Sequence, residues 1–99
     1  MAGAFAIAQI RVTDPDKYRE YQKQVPATVA SFGGRIIVAE PDTVIGEGEW
    51  PADFTIVIEF PSMEKAHEWY GSDEYAGPLA LRKEASTANA VFVRRLPGT

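Results

Sequence analysis

Residues 4–12, AFAIAQIRV, are apolar on both parities until Gln9 and Arg11 appear on one of them. This is the pattern of a strand covered on one face and partly covered on the other. Asp14 and Pro15 follow, an N-cap acceptor and a residue already at helical φ in the first position. The spacing of Tyr18, Tyr21, Val25, Val29 and Phe32 predicts a helix, which Pro26 should kink or split near Val25 by removing a backbone donor. Gly33 and Gly34 end it. RIIVAE (35–40) has the β-branched content of a second strand, and 41–52, rich in Gly, Pro and acids, reads as a loop. In DFTIVIEF (53–60) the even positions Phe54, Ile56, Ile58 and Phe60 are all large and apolar, whereas Asp53, Thr55, Val57 and Glu59 are mixed. The two faces of this third strand therefore meet different surroundings. Pro61 and Ser62 start a second helix that buries Met63, Ala66 and Tyr70, with Trp69 on its flank. GSDEYAGP interrupts it, a further helical stretch covers 79–85, and NAVFVRR supplies the last strand.

The order βαββαβ predicts an α+β, ferredoxin-like domain: a four-stranded antiparallel sheet in the order 4-1-3-2, with the helices on one face, in a single domain spanning 1–99. Helices cover the more apolar parity, so Glu59 turns to the open face. The small Ala4, Ala6 and Ala8 suit close helix packing, which sends Gln9 and Arg11 to the same open face. Reading strands one and three as parallel neighbours, and strand two as antiparallel to three, brings Arg11, Glu59 and Arg35 together at one end of the sheet.

Composition narrows the chemistry. At 99 residues and 45% apolar content the chain sits near the size at which one core suffices with little margin, so oligomerisation would help it. A net charge of −4 without a basic run argues against nucleic acid as a partner. The absence of cysteine excludes disulfides, thiolate metal sites and a cysteine nucleophile. The first twelve residues have neither a basic n-region nor a long apolar stretch, so a cytoplasmic protein with no membrane span is expected.

Glu59 between two arginines has two readings. It is the centre of an ion-pair network that fixes strand ends or dimer register, or the polar end of a pocket in which arginine holds a small carboxylate or enolate. As a catalytic base it is a weak candidate, because neighbouring arginines lower a carboxylate pKa where a general base needs it raised. Anion binding by Gln9, Arg11, Arg35, Glu59 and Tyr70 is the better expectation. His67, the sole histidine, would have to be the axial ligand of any haem, yet lies beside the buried line of its helix; no metal-ligand spacing occurs, and no cofactor is expected. Ser62 is a helix cap before it is a nucleophile. The aromatics Tyr18, Tyr21, Trp69, Tyr70 and Tyr75 read as packing between helices and sheet, with a tyrosine hydroxyl able to orient a ligand at a pocket edge.

IAQIRVTDPDKYREY, GGRIIV, GEGEW, VIEFPS and WYGSDEY, in that order, resemble the bacterial domain-of-unknown-function 1330 proteins of the dimeric α/β-barrel superfamily. The resemblance covers most of the chain. Where many members of the family carry a basic residue before the third strand and SPEY after the second helix, this chain has Phe54 and Asp73. It implies ferredoxin-like protomers that pair through their sheet faces, and a homodimer whose open face becomes a barrel interior. That superfamily includes cofactor-free monooxygenases, lactone isomerases, haem-handling enzymes and ligand-binding regulatory modules, so fold does not decide function. Two expectations remain open: a small dimeric protein binding an acidic or enolisable organic ligand at the sheet face, with or without cofactor-independent catalysis, and a non-catalytic dimeric module whose polar face serves assembly alone.

Overall fold

A computed structural model describes residues 3–99; Met1 and Ala2, which the expected 1–99 domain includes, lie outside the described residues. The elements are β1 (Ala4–Val12), α1 (Pro15–Ala30), β2 (Arg35–Glu40), β3 (Phe54–Phe60), α2 (Met63–Tyr70), α3 (Asp73–Ala85) and β4 (Ser86–Arg94). The strands form one sheet in the order β2-β3-β1-β4, the ferredoxin-like 4-1-3-2 read from the other edge, and every neighbouring pair is antiparallel.

Local chemistry sets the boundaries. Asp14 caps α1 by accepting from the Lys17 N–H at 3.2 Å, with Pro15 in the first turn, and Ser62 caps α2 through the Lys65 N–H at 3.1 Å. Gly33, at φ 76°, takes the left-handed conformation that turns the chain out of α1. Gly34 is needed for room: a Cβ there would lie 2.7 Å from a Phe60 ring atom and 2.9 Å from the Glu59 carbonyl oxygen.

Three expectations need correction. Pro26 does not split α1, which runs unbroken for 16 residues; it stands on the exposed side, where water can reach the Gln22 carbonyl that loses its N–H partner. GSDEYAGP is not an extended interruption, because Ser72 accepts from the Tyr75 N–H at 3.1 Å and starts α3 at Asp73, with Pro78 inside that helix. In α2 it is Trp69, 3% exposed, that occupies the core, while Tyr70 is half-buried.

All helices lie on one face. Cα extents of 38 × 37 × 16 Å describe a two-layer slab. Between the layers sit Ala4, Ala6 and Ile10 of β1, Ile58 and Phe60 of β3, Val25 and Val29 of α1, Trp69 of α2 and Tyr75 of α3. The opposite face carries a lateral row through all four strands: Val91 pairs with Ile7, Ile7 with Val57, and Val57 with Val38. A register shift between Ile36 and Val38 makes Ile37 the extra residue of a bulge and puts Val38 opposite Val57. Val91 is 54% and Val38 37% exposed, so this apolar row is not covered by the chain's own helices. No helix among the described residues is long and apolar enough to cross a membrane.

Candidate functional site

Two hollows bring polar side chains together, one at an end of the sheet and one between the sheet and the helices. The first is at the β2 start. Arg35 is directly opposite Glu59 on β3, and its Nε donates to Glu59 Oε1 at 3.2 Å. The second arginine on this carboxylate is not Arg11 but Arg95, just past β4, whose Nη2 pairs with Glu59 Oε2. Arg95 is fixed twice more: its guanidinium lies 4.8 Å from the centroid of the Phe5 ring, and its N–H donates to the Gly3 carbonyl at 2.8 Å. Arg35, Glu59 and Arg95, with Gly3, Gly33 and Pro61, line a hollow of about 170 Å³. The side chain of Glu59 is 24% exposed, that of Arg95 28% and that of Arg35 77%, so the inner pair is the better shielded one.

Arg11 is at the other end of the sheet. Because β1 and β3 are antiparallel, Glu59 faces Phe5, and Arg11 is six residues further along β1, about 20 Å away at strand rise. The expected convergence took the two strands as parallel. In a βαβ unit whose middle position is filled by β3, strands one and two are the parallel ones, so the hairpin partner β3 must oppose both. Arg11 pairs laterally with Thr87 instead, and the adjacent Val12 N–H donates to Asp53 Oδ2 at 2.8 Å. Gln9 does share the open face, where it accepts from Asn89 Nδ2 at 3.2 Å. Neither Gln9 nor Arg11 lines either hollow.

The second hollow is larger, about 260 Å³, and lies between the sheet and the helices, not at the open face. Its floor is apolar, from Ala6, Ala8, Ile56 and Phe92, and Tyr70 is on its wall, the one expected ligand-binding residue found there. Its polar groups come from helices. Tyr21 of α1 and Tyr75 of α3 hydrogen-bond through their hydroxyls at 2.7 Å. Trp69 lies over Tyr75, with ring centroids 4.1 Å apart, and donates its Nε1–H to Thr28 Oγ1 at 3.0 Å. Tyr18 stacks on Phe54 with centroids 5.4 Å apart. Arg82 of α3 also lines this cavity, is 8% exposed, and has no carboxylate oxygen within 4.0 Å among the described residues.

These surroundings set the charge states. Burial pushes the Tyr18 phenol up to about 12, against a smaller opposite pull from Arg82. Burial, then Tyr75, pushes Tyr21 up further still. Burial alone would disfavour the Arg82 cation, but the phenol oxygens of Tyr75, Tyr21 and Tyr70 outweigh it and leave its pKa raised. At neutral pH Tyr18 and Tyr21 are thus protonated and Arg82 is charged.

Arg82 and Arg95 were missed in the sequence, for different reasons. Tyr75, Leu79, Arg82 and Ala85 fall on one helical stripe, so a lone arginine in an apolar line was readable once α3 is started at Asp73. Arg95 continues the open-face parity of Val91 and Val93, which separates it from Arg94, and strand direction then brings it, not Arg11, to Glu59. His67 is exposed, with Phe92 edge-on to its ring at 5.2 Å, and Ser62 is occupied as the α2 cap.

A βαββαβ protomer with its helices on one face of a four-stranded antiparallel sheet in this order has the ferredoxin-like α+β fold. Within that fold the chain belongs to the family described as domain of unknown function 1330 (DUF1330), which it matches over residues 3–96. Among solved structures it is similar to RPA0582, a protein of unknown function from Rhodopseudomonas palustris, at 16% identity and TM-score 0.74 over 96% of this chain and 83% of that one. It is also similar to SnoaB, a cofactor-independent oxygenase from Streptomyces nogalater, at 10% identity and TM-score 0.66 over the full length of both chains. A third similar structure is a conserved protein of Bacteroides thetaiotaomicron described as a "possible oxidoreductase", at 14% identity and TM-score 0.66 over 95% of this chain and 98% of that one. At these identities the likeness is one of fold. No curated protein matches the chain in sequence.

Proposed function

We propose that this single-domain protein is a homodimer that binds a small, largely apolar organic ligand in the cavity between helices and sheet, and that it acts on that ligand without a cofactor. The observation that carries this reading is the cavity itself. It is lined by aromatic and aliphatic side chains, with a few polar groups converging on it from α1 and α3, the usual composition of a small-molecule site. Its volume of about 260 Å³ suits a ligand of one or two rings. The shared fold with a cofactor-independent oxygenase supports chemistry of that type on this scaffold. The bare valine and isoleucine row supports pairing of two protomers through the open face, a pairing expected to bury upwards of ~1,500 Å² in total. Arg35, Glu59 and Arg95 then serve strand-end and dimer geometry.

The alternative, a dimeric module without a ligand, is favoured by the same apolar row but leaves the cavity unexplained. Amide and indole chemical shifts in a titration with 2-naphthylmethanol, a neutral bicyclic probe, separate the two. The ligand-binding reading expects shifts at the Trp69 indole N–H and along the Tyr75 turn of α3. Shifts confined to Arg35 and Glu59, or none anywhere, would contradict it.

A further inference from the structure

A buried arginine without a carboxylate is uncommon, because removing a guanidinium from water is costly unless an anion or several acceptors meet it. Arg82 is such a residue. Its α3 neighbours Glu84 and Lys83 are exposed and point elsewhere, and the groups that do surround it are phenols: Tyr75 of its own helix, Tyr21 and Tyr18 of α1, and Tyr70 of α2. Tyr18 and Tyr21, their pKa values raised by burial, carry no negative charge at neutral pH. No Asp, Glu, His, Lys or Cys is among the residues lining the cavity, so among the described residues Arg82 supplies its only formal charge.

The hydroxyl pair adds a second donor. Between Tyr21 and Tyr75, 2.7 Å apart, one O–H donates to the other oxygen. The remaining proton is then free to be given to a third group. Guanidinium N–H groups and one spare phenol O–H, set in an apolar enclosure, are donors for an oxygen anion. Nothing in that enclosure is suited to take a proton from a neutral acid, since the phenols already hold theirs.

Resting on the cavity reading above, we propose that Arg82 is the anion anchor of this site. Its ligand class is a planar, conjugated organic oxyanion that arrives already ionised, its charged oxygen received by Arg82 and the free hydroxyl of the Tyr21–Tyr75 pair, and its ring system held on the apolar floor. The protein then selects for the anion and stabilises it, while deprotonation is left to the ligand's own acidity.

The test compares 2-naphthoate with 2-naphthylmethanol, equal in ring system and different in charge, by calorimetry at neutral pH on the wild-type protein, Arg82→Met and Arg82→Lys. Wild type should bind the carboxylate about tenfold tighter or more, the scale of a charge-assisted hydrogen bond. Arg82→Met should bind both probes alike, and Arg82→Lys should keep part of the preference. Equal affinities in wild type, or a preference that survives Arg82→Met, would overturn the anchor while leaving the cavity reading intact. Failure of wild type to bind either probe would overturn both. Should Arg82→Met not fold, the wild-type comparison and the charge-preserving Arg82→Lys still decide the matter.

Discussion

Arg95 and Arg82 are both largely shielded, and they are shielded for different purposes. Arg95 closes on Glu59, lies over Phe5 and is tied by its backbone to Gly3, so its donors and its charge are answered within the chain. Arg82 is buried more deeply, among phenols, and its charge is answered by no carboxylate. An arginine paired with a carboxylate fixes geometry, whereas one met by phenols alone keeps its charge available to an anion. The difference moves the proposed ligand site from the Glu59 end of the open face, where charge density alone would put it, to the helix side of the sheet.

The comparison can be broken most forcefully on the cavity side. Trp69→Ala removes a ring packed on Tyr75 and Phe60 and leaves the Thr28 hydroxyl without its indole donor, so a loss of about 3–5 kcal/mol is expected in denaturant unfolding. A loss below about 1 kcal/mol would mean that the helix layer does not close on the sheet as described. On the open face the expected effect is on assembly instead. Val57→Asp should weaken dimerisation about 100-fold in sedimentation equilibrium without unfolding the protomer, the scale of a central interface position. An unchanged dimer would place the interface elsewhere.

Smaller effects separate the arginines around Glu59. Glu59→Gln should cost on the order of 2 kcal/mol, as a charge-assisted bond is lost in a partly shielded site. Double-mutant cycles should give Arg95 the larger coupling, while Arg35, mostly exposed, should couple by less than about 1 kcal/mol. Arg11→Met should be additive with Glu59→Gln, since the two residues stand at opposite ends of the sheet. Coupling between them would contradict the antiparallel β1–β3 pairing.

The phenols on the cavity side give a small effect as well. Tyr75→Phe removes the hydroxyl partner of Tyr21 and should cost about 1 kcal/mol. Tyr18 and Tyr21 have pKa values raised on folding, so above pH 10 the unfolded chain loses phenol protons that the folded chain retains. Their contribution to stability is thus fully present below pH 10 and is lost as pH rises, for Tyr18 through about 12. Stability should fall steeply over that alkaline range in wild type and less steeply in Tyr21→Phe.

The fold was legible because each element carried its own signal: alternating apolar positions in β3, the Asp14–Pro15 and Ser62 caps, and the glycine pair after α1. Pattern also assigned Glu59 to the open face and paired it with Arg35. Two things were less accessible. Strand direction follows from topology, and taking β1 and β3 as parallel exchanges Arg95 for Arg11, which no local property of Arg11 exposes. The cavity arises from the distance between layers, set jointly by Ala6 and Ala8 on the sheet and the tyrosines of α1 and α3 above it. Aromatic stripes on helices look the same in sequence whether they fill a core completely or leave a space. Arg82 is the clue in the sequence, a charged residue in the apolar line of α3 that stands out only when the helix starts at Asp73.

The account stands most directly on where an anionic ligand goes. A crystal structure of the wild-type protein grown with 2-naphthoate answers this in one experiment. The rings should lie over Ala6 and Ala8, between Tyr70 and the Tyr21–Tyr75 pair, with the carboxylate within hydrogen-bond distance of Arg82. A carboxylate bound instead between Arg35 and Arg95, with the cavity on the helix side left empty, would contradict it.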